Sequence, residues 1–124
     1  MTLIIVLPLP HKTQSPNTRV HWAVKARFKS LARLHAKLET INAMTRLGWR
    51  RPPKWKTATV RCTFYKRTAA ISDPDNLLAS AKAVFDGITD SQLWEDDAGL
   101  THLPVKQSKD KSNPRLEIEV TNAT

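Results

Sequence analysis

The chain has one cysteine, three glycines and one tyrosine in 124 residues. A lone cysteine, Cys62, rules out an internal disulfide and argues against a cysteine-based zinc site. It fits a reducing cytoplasm as the expected address. Three glycines leave little scope for a glycine-rich, phosphate-cradling loop. No apolar run approaches the ~20 residues needed to span a bilayer; the longest, Leu3 to Leu7, ends at Pro8. No basic region precedes that run and no small-residue cleavage site follows it, so neither a signal peptide nor a membrane anchor is expected. Acids are scarce too. Eleven stand against 20 Lys and Arg, giving a net charge of +9 and a pI near 10.1. That surplus selects a polyanionic partner, nucleic acid ahead of an anionic membrane.

The few acids are not spread evenly. The segment Ile71 to Asp97 holds seven of them: Asp73, Asp75, Asp86, Asp90, Glu95, Asp96 and Asp97. Its one base is Lys82. The segment therefore carries −6, while the rest of the chain carries +15.

Hydrophobic periodicity predicts a small α+β protein, one domain over 1–124, in the order β-α-β-α-β-β. Leu3 to Leu7 reads as a buried first strand, followed by a Pro-rich polar loop. From Arg27 to about Leu47, Phe28, Leu31, His35, Leu38 and Ile41 recur at helical spacing as a candidate buried stripe, and Gly48 ends the helix. Ala58, Val60, Cys62 and Phe64 alternate with polar residues in a second strand. Leu77, Leu78, Ala81, Val84, Phe85 and Ile88 predict a second helical stripe. A short strand is expected around His102 to Lys106. A last one carries Leu116, Ile118 and Val120. Two helices cover one face of a mixed sheet better than both.

Two readings stand for most of the charged features. Lys25, Lys29, Arg33 and Lys37 form either a solvated helix face or a phosphate-facing ridge. Arg67, in the approach to the acidic segment, joins Lys25, Lys29 and Arg33 as a candidate DNA contact. Asp73 and Asp75 flank Pro74 at a helix start, where acids cap N–H groups and favour the helix dipole. Glu95, Asp96 and Asp97 suit a solvated loop. Taken together, the two clusters suit a hard cation such as Mg²⁺, which takes oxygen ligands. Phosphodiester hydrolysis needs this charge pattern: a basic surface for the nucleic acid, and a local carboxylate cluster for the metal that activates water. Lys82, on a continuous helix, lies two turns beyond Asp75 on the same face. It either pairs with Asp86 or contacts the scissile phosphate. The four histidines show no paired ligand spacing.

"DPDNL" at Asp73 to Leu77, "KAVFDGI" at Lys82 to Ile88 and "WEDDAGL" at Trp94 to Leu100 resemble the RusA family of Holliday junction resolvases, common in prophages. The opening "LPLP...SPN" at Leu7 to Asn17 and the closing "RLEIEV" extend the resemblance over nearly the whole chain. It implies a homodimeric, Mg²⁺-dependent endonuclease, with Mn²⁺ as a substitute ion, that nicks four-way DNA junctions symmetrically. The family's metal-binding aspartates fall on Asp73, Asp75 and Asp97, with Asp96 beside the third. The catalytic lysine falls on Lys82. The compact family pattern has that lysine where Ala79 stands here, so three extra residues separate Asp75 from the "KAVFD" block. Two rivals remain: a DNA-binding module without cleavage, and a metal nuclease acting on flaps, forks or RNA. Two cuts on one junction call for two sites and hence a two-fold dimer. Of the four tryptophans, Trp94 is expected to pack locally, and Trp49 and Trp55 to serve as interface or DNA contacts.

Overall fold

A computed structural model of the chain describes residues 1–123. It is an α+β structure whose five-stranded mixed sheet carries its helices on one face. The strands are β1 (Thr2–Leu7), β2 (Ala58–Lys66), β3 (Leu100–His102), β4 (Lys106–Lys109) and β5 (Arg115–Asn122). The helices are α1 (Trp22–Arg46), α2 (Pro74–Ser80) and α3 (Lys82–Asp90). β5 pairs antiparallel with β1, at one edge of the sheet, and with β2. On the far edge of β2, β3 pairs parallel with Ala58–Val60 and β4 parallel with Thr63–Lys66. The single edge strand expected near His102 to Lys106 is thus two short pieces.

Alternation along the strands decides the layering. Leu3, Ile5 and Leu7 of β1, Ala58, Val60, Cys62 and Phe64 of β2, and Leu116, Ile118 and Val120 of β5 are all buried toward the helices. The intervening residues face the other way, as a period of two requires. Burial pushes the Cys62 thiol up to about 12. Among the described residues, no helix is long and apolar enough to cross a membrane.

Three expectations need correcting. The stripe Phe28, Leu31, His35, Leu38 and Ile41 does not enter the core; Leu31, Leu38 and Ile41 are exposed. The buried face of α1 is Ala36, Thr40, Ala43 and Met44. A small residue, Ala36, stands where α3 comes closest. A Cβ added at Gly87 would lie 2.1 Å from the Arg33 carbonyl oxygen and 2.9 Å from the Ala36 Cβ. Larger side chains on that face would hold the helices apart. Second, the helix after Asp73 is not continuous. It breaks at the fully buried Ala81, where φ is −95° and ψ is 7°. Just before the break, the Ser80 hydroxyl donates to the Leu77 carbonyl at 2.6 Å, a local bond that competes with the helical ladder. Third, Trp55 is buried and Trp49 half-buried, packed edge-on with ring centroids 5.8 Å apart. They close one end of the core rather than forming an outer contact surface.

Trp94 packs locally, as expected. It is 1% exposed and its indole N–H donates to the Thr89 hydroxyl at 2.7 Å. The end of α1 is likewise as read from Gly48, whose φ is +79°. The Trp49 N–H reaches back to the Met44 carbonyl, and the Gly48 N–H to that of Thr45. This paired closure needs the left-handed conformation that glycine adopts without strain.

Candidate active site

The acidic segment reaches its place through two anchored stretches. The first leads from β2 to α2. Gln107 of β4 clamps Ser72: its side-chain oxygen accepts from the Ser72 N–H at 2.9 Å and its amide donates to the Ser72 carbonyl at 2.9 Å. Lys66 donates to the same Gln107 oxygen at 2.7 Å and also to the Ala70 carbonyl. One residue further on, the Asp73 carboxylate accepts from the Asp75 N–H at 2.9 Å and caps α2, with Pro74 in the first turn. That cap orients Asp75 in the first turn of the helix.

The second anchored stretch carries Asp96 and Asp97. Residues 92–95 are zipped to 54–55: the Trp55 N–H donates to the Leu93 carbonyl at 3.0 Å and the Glu95 N–H to the Trp55 carbonyl at 3.0 Å. Asp96 then caps a single 3-10 turn, Asp97–Gly99, by accepting from the Ala98 N–H at 3.2 Å. Gly99 is required there, because a Cβ would sit 2.1 Å from the Lys56 carbonyl oxygen. The Asp96 carboxyl is held below the ordinary aspartate range, by its contact with the Asp97 side chain first and by the Ala98 N–H second.

The two stretches meet at an open concavity of about 360 Å³. Asp75, Lys82 and Asp97 line it, over a floor that includes Phe85 and Leu100. The Lys82 ammonium donates to Asp86 at 3.0 Å and lies 3.5 Å from the Asp97 carboxylate. The hydrogen bond that Lys82 donates to Asp86, and then the charges of Asp86 and Asp97, outweigh partial burial and raise the Lys82 pKa. Of the two readings of Lys82, the pair with Asp86 is present, and the residue also lines the concavity. Lys82 opens a new helix, so the position expected on one straight helix does not apply.

Asp73 is placed differently. It lines a neighbouring cavity of about 410 Å³ with His11, Lys12, Asn17, Lys66 and Asn76, while its carboxylate is occupied as the α2 cap. Among the described residues, no three His, Cys, Asp or Glu side chains stand close enough together to hold a metal ion. The donor chemistry nevertheless fits a hard divalent cation. Asp75 and Asp97 bring carboxylate oxygens to a solvent-open pocket, with Asp96 adjacent and no thiolate nearby.

The candidate DNA contacts separate into two kinds. Lys25, Lys29 and Arg67 are exposed. Arg33 is committed elsewhere, in a two-pronged pair with Asp90 of α3 at 2.6 and 2.9 Å. Two residues of the site gave little signal in the sequence. Gln107 clamps Ser72 from a distant strand, and no local pattern marks it. His102 lines the concavity and packs edge-on against Phe85 at 5.1 Å; its closeness to "WEDDAGL" was the available clue.

Comparison with known proteins follows from this geometry. The family model described as "Endodeoxyribonuclease RusA" matches residues 7–121. A protein of Xylella fastidiosa (strain Temecula1), described as an uncharacterized protein, is 31% identical over 122 residues, covering 97% of this chain and 76% of that protein. A solved structure titled "Cyanuric acid hydrolase: evolutionary innovation by structural concatenation" aligns with a TM-score of 0.45 at 12% identity. The alignment covers 96% of this chain and 36% of that one. A likeness so slight carries no argument.

Proposed function

The chain belongs to the endodeoxyribonuclease RusA family, and on that premise we propose that it is a metal-dependent endonuclease that resolves four-way DNA junctions by paired symmetric nicks. The observation that carries the proposal is the meeting of Asp75, Asp97 and Lys82 in one open concavity, from separate elements of an otherwise basic chain. We read the chain as one nuclease domain of a cytoplasmic protein, acting as a homodimer so that two sites face one junction.

Asp75 and Asp97 would hold the ion, with Asp96 as a further oxygen donor and Asp73 orienting Asp75 as the cap of α2. A bound Mg²⁺, or Mn²⁺ in its place, supplies acidity to a water and offsets charge at phosphorus. The chain's own groups do the rest. The Gln107 clamp and the Asp73 cap hold Asp75 in register. Lys82, paired with Asp86, would offer a cation to the scissile phosphate as charge builds on its oxygens. Lys25, Lys29 and Arg67 neutralise backbone phosphates on the arms.

The test is cleavage of an end-labelled panel comprising a four-way junction, a fork, a flap, linear duplex and single-stranded RNA, with and without Mg²⁺. Mg²⁺-dependent paired nicks on the junction are expected. Cutting confined to flaps or forks would move the substrate assignment. Junction binding without cleavage in any divalent ion would overturn the nuclease reading.

A further inference from the structure

Two pieces of sequence far apart in the chain meet at a cavity to which the proposed chemistry gives no task. This cavity, of about 410 Å³ beside Asp73, lies between the loop 8–17 and the first turns of α2. The loop carries "SPN" and α2 carries "DPDNL"; the asparagine of each, Asn17 and Asn76, lines the space. Neither side-chain amide has a hydrogen-bond partner among the described residues. The walls are apolar, with Leu9, Pro10 and Leu77 around the buried Phe64. Lys12, exposed and in no ion pair among the described residues, also lines it. The loop is a fixed wall. The His11 ring stacks on Phe28 of α1 with centroids 3.8 Å apart and accepts from the Thr13 N–H at 3.2 Å. The Gln14 amide donates to the Lys25 carbonyl at 3.0 Å, and the Thr18 hydroxyl to the Lys12 carbonyl at 2.7 Å. A slot held in this way needs little ordering when it is filled.

We propose that this cavity receives one nucleobase of the DNA, turned out of its stack near the phosphate being cut, with Asn17 and Asn76 reading its edge. A phosphate takes charged donors. Apolar walls with neutral amides suit a heterocycle instead: its faces meet the walls, and its edge meets groups that both donate and accept. Lys12 then serves the phosphate of the same nucleotide. The place of the base follows from α2, which partitions the two cavities. Asn76, Leu77 and Ser80 line this one, while Asp75, Leu78 and Ala79 line the catalytic concavity. A helix is ~10–12 Å across, or about three base steps of 3.4 Å, so the base belongs within about three nucleotides of the cut. A base still paired cannot enter. Extrusion is costly in a duplex and cheapest where pairing is already interrupted, as at a branch point. The slot therefore favours branched over linear DNA. This deepens the nuclease reading and rests on it: the acidic concavity cuts, and the slot decides where.

The test places 2-aminopurine at successive positions around the branch point of a four-way junction and reads its fluorescence with the full-length chain, without divalent ion. One position should brighten on binding, as an unstacked base does; the others, and a linear duplex, should stay dark. An abasic residue at the bright position should lower junction affinity about tenfold, the order of one base contact. Asn17→Ala and Asn76→Ala should each lower affinity for the intact junction by a similar factor and dim the bright position. Neither should cause further loss on the abasic junction. Their melting points should match the parent, because neither amide has a protein partner to lose. Losses that multiply on the abasic junction place the amides elsewhere and overturn the proposal. So does brightening that survives both variants. Slower nicking with affinity and brightening unchanged would make the asparagines supports of Asp75 instead. Nicking in Mg²⁺ is scored separately. Cutting with every position dark rejects the slot and leaves the nuclease standing, whereas a bright position without cutting in any divalent ion keeps the slot and rejects the nuclease. A chain that binds no junction overturns both.

Discussion

The Lys82 ammonium lies 3.5 Å from the Asp97 carboxylate while donating to Asp86 at 3.0 Å, so one cation ties the second acidic stretch to α3. If Asp75 and Asp97 supply the metal oxygens, removing either charge should reduce nicking by more than the ~10–100-fold typical of residues that only support a ligand. Asp75→Asn and Asp97→Asn should leave junction binding unchanged or tighter, because each also removes a repulsion toward phosphate. Single-turnover nicking and gel-shift affinity, measured on the same preparations, check both halves. Normal cleavage by Asp75→Asn would remove it from the site.

Gln107 touches no reacting group in this scheme; it is a positioning residue for Asp73 and Asp75. Gln107→Ala should lower the nicking rate by about 10-fold, the lower end for such supports. The Mg²⁺ concentration for half-maximal rate should shift upward, and junction affinity should not change. A purely structural role would lower the melting point without moving the Mg²⁺ dependence.

Lys25, Lys29 and Arg67 should act together on binding. Replacing all three with Ala should reduce the slope of log affinity against log salt by up to about three contacts. Arg33→Ala should alter stability more than that slope, because its guanidinium is paired with Asp90. Filter binding between low and physiological salt separates the two.

Gly87→Ala should destabilise the fold by about 1–3 kcal/mol, the usual cost of overpacking, or more. Its new methyl would meet backbone at 2.1 Å, where a flexible side chain cannot yield. Gly48→Ala meets nothing within 4 Å and should cost about 1 kcal/mol through its positive φ alone. Urea titrations of the two variants should preserve this order.

The Arg33–Asp90 pair makes stability fall on the acid side. The hydrogen bond from Arg33 holds the Asp90 carboxyl below the ordinary range. Its contribution is therefore complete above the unfolded-state value of about 4, and is lost as the pH drops through the lower folded-state value. Asp90→Asn should flatten the melting temperature against pH in that window, with little effect between pH 6 and 8 on the slope. An unchanged acid limb would show that other carboxylates dominate it.

Local pattern carried much of this protein. Alternation in β2 and β5 placed the correct faces in the core, since a strand's period depends only on neighbouring residues; β1, apolar throughout and read as buried, in fact exposes Ile4 and Val6. Gly48 marked the end of α1 because its backbone geometry is intrinsic to glycine. The charge contrast between the acidic segment and the rest, with the motifs inside it, pointed to the family that the family model matches. Tertiary structure decided what depends on distant partners. The leucines of α1 looked like a core stripe, yet Gly87, on another helix, meets α1 at Arg33 and Ala36, and the leucines turn outward. The helix carrying Asp75 ends at Ala81 and Lys82 opens another, a break that the helical stripe across it gave no reason to expect. Asp73 was kept for its helix while Asp75 and Asp97 met, and Gln107 entered through strand pairing. A periodic pattern records which side chains share a face; it does not record which face the rest of the chain will cover.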